Sequence, residues 1–471
     1  MKKTKIICTI GPACENEDVL EKMILAGMNV ARLNFSHGVH ADHKRRIDMI
    51  KKVRERLGVP VAILLDTKGP EYRIGTFENG KIMLADGSKF VFTTEECSGN
   101  AERVSVSYKK LPSELEVGDT ILLNNGLLEF AVTATTETEI FTEVVIGGEL
   151  SDRKSMSFPG KTLKQEYLSE KDKEDILFGI ENDVDFIACS FVSVVEDVQK
   201  VRDFVIANGG EKIDLIAKIE NRSGVDNIEA IIDASDGIMV ARGDMGVEIP
   251  YEQLPAIQKH MITTCRYRGK RVITATEMLE SMITKPRPTR AEISDVANAV
   301  YDGTSAVMLS GETAAGLYPV EAVKAMAKIV EQTEKDIDYI HRFRTHDFKI
   351  KNEIDALSHA ACELSIDLDA KLMVVCSRSG KTARMVSRFR SPKIIIGLTT
   401  DEKAWRKLAL SWAVYPVMSE EFQSTDVLFY HATRVAKETG LAGSGDAIVI
   451  TGGTTNGNSG NTSLIKYEIL K

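Results

Sequence analysis

The chain is poor in cysteine, with seven among 471 residues, at positions 8, 14, 97, 189, 265, 362 and 376, and no Cys-x-x-Cys pair. An odd, scattered set excludes a disulfide frame or a zinc knuckle and fits reduced thiols in a cytoplasmic protein. Long apolar runs are missing as well. Stretches such as 59–65 and 186–189 fall well short of the ~20 residues that span a bilayer. The start, Met1-Lys2-Lys3-Thr4-Lys5-Ile6-Ile7-Cys8, is basic and then apolar, but it stops at Thr9 and Gly11-Pro12. That is too short for a signal peptide and reads as a first strand. Positive charge is also in deficit, with 60 Lys and Arg against 69 Asp and Glu, which argues against a nucleic-acid-binding surface. Neither a solenoid-period repeat nor a low-complexity linker is present.

What is present is an average folded composition, 43% apolar and 27% charged, on a length that implies two to four domains. Short apolar runs alternate with helical patterns, which predicts parallel βα units. Strands are expected at 5–10, 28–33, 61–66, 185–190, 215–220, 237–242, 271–276 and 306–311. Helices such as 19–26, 171–181, 195–207, 254–267 and 319–334 lie between or after them. Eight units predict an α/β fold, a (β/α)8 TIM barrel, with its active site at the C-terminal strand ends. Between about 71 and 157 the helical pattern gives way to Thr/Val/Glu-rich runs punctuated by glycine, an inserted all-β module able to act as a lid. Strands near 372–376, 394–398, 414–417, 447–451 and 463–469 then predict a C-terminal α/β domain. The expected division is barrel at 1–70 and 158–340, β-barrel lid at 71–157, and regulatory α/β domain at 341–471.

Along a strand, residues i and i+2 share a face. In that register polar residues gather at the strand ends: Arg32, Asn34 and Ser36; Asp66 and Lys68; Lys218 and Glu220; Arg242 and Asp244; Thr276; Ser310 and Glu312. Barrel interiors are packed with branched apolar residues, so an ensemble of charges in step marks a site rather than a solvated rim. Glu220 and Asp244, without histidine or cysteine nearby, suit a hard cation, Mg²⁺ or Mn²⁺, with water or substrate oxygens completing its shell. Arg32, Lys218 and Arg73 would neutralise an anionic, phosphorylated substrate. Asn34, Ser36, Asp66 and the carbonyl of Thr67 offer only oxygens and one charge, a pocket for a monovalent cation.

At these residues the sequence resembles the pyruvate kinase family, over essentially the whole chain. The resemblance rests on Lys5-Ile6-Ile7-Cys8-Thr9-Ile10-Gly11-Pro12, Asn29-Val30-Ala31-Arg32-Leu33-Asn34-Phe35-Ser36-His37-Gly38 and Asp66-Thr67-Lys68-Gly69-Pro70-Glu71. It continues in Ala217-Lys218-Ile219-Glu220-Asn221, Ala241-Arg242-Gly243-Asp244-Met245-Gly246, Thr274-Ala275-Thr276-Glu277-Met278-Leu279, Lys285-Pro286-Arg287-Pro288-Thr289-Arg290 and Leu309-Ser310-Gly311-Glu312-Thr313. The resemblance is to the bacterial, three-domain type without an extension at either end. The resemblance implies phosphoryl transfer from phosphoenolpyruvate to ADP, giving pyruvate and ATP. It places Mg²⁺ or Mn²⁺ on Glu220 and Asp244, and K⁺ on Asn34, Ser36, Asp66 and Thr67. Arg32 and Lys218 would contact the phosphoryl group, and the backbone around Arg242, Gly243 and Asp244 with the Thr276 hydroxyl would hold the substrate carboxylate. His37, Arg73 and Lys154 would serve the nucleotide phosphates. Within the family, Glu at the position of Glu71 goes with K⁺ dependence. Thr276 and the Ser310–Glu312 pair could organise a water that protonates the enolate. A homotetramer is expected, with no membrane or nucleic-acid partner. One departure lies in the lid, where the family's Asp-Asp-Gly stands as Asn124-Asn125-Gly126, removing any ion pair those charges would make on closure.

Ser377-Arg378-Ser379-Gly380-Lys381-Thr382 follows a strand and opens a helix. Its amides, hydroxyls and Lys381 suit a phosphate. The earlier glycine of a P-loop would fall at Val375, so an NTPase is rejected. In the family the matching loop binds a phosphorylated effector (a sugar phosphate or nucleotide), with 452–461 closing the other side; the alternative is an ordinary turn and N-cap. His40, His43 and His260 are expected on solvated helix faces, and Trp405 and Trp412 to pack a helix. Two other functions compete: a Mg²⁺-dependent barrel lyase or aldolase acting on a 2-oxo-acid enolate, and an inactive effector-binding regulator. Lys218, the lid and the C-terminal loop speak against the first, and retention of every motif against the second.

Overall fold

The computed structural model describes residues 1–161, 163–421, 423–453 and 462–471. All eight apolar segments are parallel strands: β1 (Lys5–Thr9), β2 (Val30–Asn34), β3 (Ala62–Asp66), β4 (Phe186–Cys189), β5 (Asp214–Ile219), β6 (Gly237–Ala241), β7 (Arg271–Ala275) and β8 (Ala306–Leu309). They close in the order β1-β8-β7-β6-β5-β4-β3-β2. Alternation sorts their side chains. Ile7, Val30, Leu64, Ala188, Ile216 and Met308 fill the barrel interior, while Ile6, Cys8, Ala31, Leu33 and Leu65 pack outward against helices. Arg32, Asp66 and Lys218 each stand two residues past an interior apolar residue, which carries them into the C-terminal mouth.

Side-chain caps start the helices where expected: Asn16 accepts the N–H groups of Asp18 and Val19, and Ser169 that of Asp172. Thr289 and Glu292 form a reciprocal capping box. Between β3 and β4 lies the all-β insertion, a seven-stranded sheet with Tyr72–Arg73 at one edge and Arg103–Ser105 at the other, and a separate strand pair. A bridge between Ile74 and Val106 draws the two edges together, so the sheet rolls up. Phe90, Phe92 and Phe130 fill it, with ring centroids 5.3, 5.8 and 5.2 Å apart. Downstream, β9 (Leu372–Cys376), β10 (Ile394–Thr399), β11 (Val414–Met418), β12 (Ala447–Gly453) and β13 (Thr462–Ile469) form a sheet ordered β11-β10-β9-β12-β13, with β13 antiparallel.

The C-terminal unit seals the barrel floor. Ala409 and Leu410 belong to the same apolar cluster as the barrel interior. Around them, Asp185 takes Arg406 at 2.7 Å and the Ile63 amide at 2.8 Å. Asp214 takes Arg271 at 2.7 Å and Lys407 at 2.8 Å. Lys5 reaches across to the Val414 carbonyl at 2.7 Å.

Two sequence expectations are corrected. His43 is buried and stacks on Phe35 with centroids 3.9 Å apart, and His40 bonds the buried Asp175 at 2.5 Å. Helix His40–Leu57 therefore turns these rings inward, because an aromatic wall and a buried carboxylate wait there; His260 is exposed as expected. Trp412 is buried but lies past the end of helix Glu402–Leu408, so it does not share a helix face with Trp405. No described helix is long and apolar enough to cross a membrane.

Candidate active site

Strand β5 ends by lifting Lys218 and Glu220 into the mouth, and its neighbours supply their partners. The Lys218 ammonium donates to Ser190 Oγ at 2.6 Å and lies 3.0 Å from both Asp66 Oδ1 and Glu220 Oε1. Arg32 donates through Nε to Asp66 Oδ2 at 2.6 Å and through a terminal nitrogen to Thr9 Oγ1 at 2.9 Å. One buried carboxylate thus carries two cations, one on each oxygen. Burial works against the Asp66 charge, but Arg32 and Lys218 outweigh it and hold its pKa below the usual range. For Lys218 burial also works against the charge, and Asp66 and Glu220 overcome it, raising its pKa. The lysine stays an ammonium at any physiological pH.

Glu220 is in the opposite position. Burial first, and then the nearby Asp244, push its pKa up to about 7 despite Lys218 and the Phe191 amide, which donates to it at 2.5 Å. Two carboxylates that disfavour each other's charge invite a cation between them. Among the described residues no group of three or more His, Cys, Asp or Glu converges as a ready-made cage. Phe191 achieves its pose with φ of 56°, a left-handed conformation that a bulky residue adopts only when its surroundings enforce it.

The family models decide the kinship: the pyruvate kinase barrel domain matches residues 1–323 and the pyruvate kinase alpha/beta domain matches 355–467. The chain belongs to the pyruvate kinase family. It is 46% identical to the pyruvate kinase of Clostridium acetobutylicum, with all of both chains covered. It is 47% identical to that of Sporosarcina psychrophila, covering 100% of this chain and 81% of that one. Among solved structures, a pyruvate kinase from Cryptosporidium parvum superposes with a TM-score of 0.95 at 39% identity, covering 100% of this chain and 96% of that one. The activity is that of a pyruvate kinase, a phosphotransferase.

Other residues singled out in the sequence fall around this centre. Asn34 is the cross-strand partner of Asp66, and its side-chain oxygen accepts the Ser36 amide at 3.1 Å. The Thr67 carbonyl accepts Ser190 Oγ at 2.7 Å, and Ser36 is exposed. The Thr276 hydroxyl accepts the Gly243 amide at 2.8 Å and donates to the Ala275 carbonyl at 2.6 Å. The Arg242 side chain turns away from the mouth. It forks onto Asp295 with both distances 2.7 Å and donates to the Thr276 carbonyl at 2.6 Å. The Arg242 side chain is therefore fully engaged within the protein. Glu312 is committed as well, accepting the Leu279 amide at 3.0 Å and the Ser310 amide at 2.7 Å. Ser310 Oγ is buried without a partner among the described residues.

At the lid, Arg73 pairs with Glu71 and donates to the Arg153 carbonyl at 2.6 Å. Ser155 is its cross-strand partner, which places Lys154 beside it. His37 is exposed on the loop after β2, its carbonyl bonded by His43 at 2.9 Å. Asn124, Asn125 and Gly126 all have positive φ, and Asn125 lines a cleft of about 510 Å³ shared by lid and barrel, with Glu220 and Asp244 in its wall. In the C-terminal loop Gly380 has φ of 74°, Ser377 Oγ accepts the Thr382 amide at 3.3 Å, and the Thr382 and Thr462 hydroxyls meet at 2.7 Å. Ser379 and Lys381 are exposed. Most of the second loop, 454–461, lies outside the described residues.

Sequence reasoning missed Ser190, Phe191 and Asp295. Ser190 was findable, because it continues the interior register of Ala188. The Phe191 amide and the Asp295 contact carry no sequence signal, since one depends on a backbone twist and the other on a meeting of the helices Arg242–Glu248 and Arg290–Asp302.

Proposed function

We propose that the mouth of this barrel moves the phosphoryl group of phosphoenolpyruvate onto ADP, with Lys218 and Arg32 neutralising the group in flight. The observation that carries this reading is the Lys218 ammonium, 3.0 Å from each of Asp66 and Glu220 and charged despite burial. Phosphoryl transfer asks for positioning and charge neutralisation rather than a protein nucleophile. Two carboxylates with no third amino-acid ligand fit Mg²⁺ or Mn²⁺, which keep positions for water and substrate oxygens. Held by Glu220 and Asp244, such an ion would supply Lewis-acid charge stabilisation to a phosphorylated substrate. Asn34, Ser36, Asp66 and the Thr67 carbonyl supply oxygens for K⁺, and Glu71 fits K⁺ dependence.

The Gly243 amide and the Thr276 hydroxyl, now bonded to each other, would turn to the substrate carboxylate. Ser310, with its open hydroxyl, is the better placed of the Ser310–Glu312 pair to hold the water that protonates the enolate, since both Glu312 oxygens are taken. His37, Arg73 and Lys154 would receive the nucleotide phosphates. The loop of Ser377, Ser379, Gly380, Lys381 and Thr382 would receive a phosphorylated effector. The division into 1–70 with 158–340, 71–157 and 341–471, a homotetramer and a cytoplasmic site of action complete the proposal.

The test is pyruvate formation from phosphoenolpyruvate and ADP in a coupled assay, with and without K⁺ and with each divalent ion. The expected outcome is turnover that needs Mg²⁺ or Mn²⁺ and falls sharply when K⁺ is replaced by a large organic cation. Turnover indifferent to both ions would reject the site assignment.

A further inference from the structure

Three arginines converge beside the loop that leads into β8. Arg266 comes from helix Leu254–Tyr267, Arg342 from helix Tyr339–Thr345, and Arg390 from the turn after helix Lys381–Ser387. Together with Gly303 and His346 they line one small cavity between the barrel and the C-terminal unit. Arg266 and Arg390 are each 6% exposed.

Their hydrogen bonds go to neutral acceptors. Arg390 donates to the Ser387 carbonyl at 2.9 Å, the Gly303 carbonyl at 2.9 Å and Ser305 Oγ at 3.0 Å. Arg342 donates to the Tyr301 carbonyl at 2.8 Å. The buried Nε atoms of Arg266 and Arg390 have no hydrogen-bond partner among the described residues. Glu334, an acid near Arg390, spends both oxygens on the Lys3 and Thr4 amides, at 2.7 and 2.6 Å. Burial, and then the neighbouring Arg266 charge, press the Arg390 pKa down to about 9. Glu334 offsets part of one charge, but three guanidinium groups against a single carboxylate leave an excess of positive charge that is costly to bury, and structures that keep such an excess supply a counter-charge. The space open to the centre of a water-sized sphere is about 10 Å³, room for one monatomic ion and too little for a phosphate or a carboxylate.

We propose that this cavity binds one monatomic anion of chloride size, which neutralises the arginine cluster and pins the C-terminal unit to the barrel. Bromide, a heavier stand-in, tests it directly. In crystals of the full chain soaked in sodium bromide, an anomalous peak is expected between Arg266, Arg342 and Arg390. In solution at constant ionic strength, the melting temperature should rise saturably with chloride. Arg342→Gln removes one partly exposed guanidinium and should keep the fold. In it the chloride concentration for half the effect should increase at least tenfold. A cavity empty of bromide while surface sites on the same crystal are occupied would overturn the proposal. So would a chloride response identical in wild type and Arg342→Gln.

Discussion

Lys218 sits where a charge matters most, because its counter-ions are fixed before substrate arrives. A unit charge about 4 Å from a migrating group, at an effective dielectric near 20, is worth ~4 kcal/mol, or roughly a thousandfold in rate. Lys218→Met should lose about that much kcat while still binding phosphoenolpyruvate, as measured by turnover alongside ligand-induced fluorescence change. Near-normal turnover would remove the lysine from the mechanism. Glu248, in the wall of the lid cleft, gives a pH prediction that does not depend on Glu220 or Asp244. Burial pushes its pKa up to about 7 from an ordinary 4.5, although the Arg222 amide donates to it at 3.3 Å. The folded chain then holds more protons than the unfolded chain between those values, so stability falls as pH rises through this window. Glu248→Gln should therefore melt a few degrees (~2–4 °C) higher than wild type at pH 8 and no differently at pH 4. At this scale the sequence was readable wherever parity along a strand decides, as for Arg32, Asp66, Lys218 and Glu220. It was silent wherever a backbone amide or a crossing between elements decides, as for Phe191 and Asp295.

Strands and helices announced themselves because each segment's period agrees with its final environment. β1 to β8 were expected within a residue or two of their observed ends, and helices Val195–Ala207 and Leu254–Tyr267 at their observed ends. Helix His40–Leu57 shows the limit of such reading, since its histidines look solvated in sequence and acquire Phe35 and Asp175 only from tertiary packing. The same holds for helix Glu402–Leu408. Nothing in the sequence marks its Arg406 and Lys407, yet they dock on Asp185 and Asp214 beneath the barrel. Asp185 is fully buried and also holds the Ile63 amide. Asp185→Ala leaves Arg406 without its buried partner and should destabilise the chain by ~3–5 kcal/mol. Denaturant unfolding would show it, and a change under 1 kcal/mol would reduce the contact to decoration.

The whole molecule is a catalytic mouth at one end of a barrel and a second α/β unit at the other. An effector signal would therefore have to cross the barrel lengthwise. Gly380 in the C-terminal loop lies against Leu408, since a Cβ added there would come within 3.2 Å of it. Leu408 ends the helix that grips Asp214 at the start of β5, the strand that carries Lys218 and leads into Glu220. Activation by at least one of fructose 1,6-bisphosphate, ribose 5-phosphate and AMP is expected, seen as a several-fold drop in the half-saturating phosphoenolpyruvate concentration. Lys381→Ala should abolish that drop and leave the unactivated rate alone. No response to any of the three would count against an effector loop.

The floor made by Ala409 and Leu410 carries one more consequence, for the order in which the chain is made. The barrel's own strands are complete by Leu309, yet the apolar plug for their lower end lies 100 residues later. A ribosome therefore releases a barrel with an open base, its Ile216 and Phe186 layer unsealed until the last quarter of the message is read. Such a nascent chain should hold chaperones through that interval. A product ending near residue 350 should aggregate rather than persist as a minimal enzyme, a result that expression and sedimentation of the truncated chain would show.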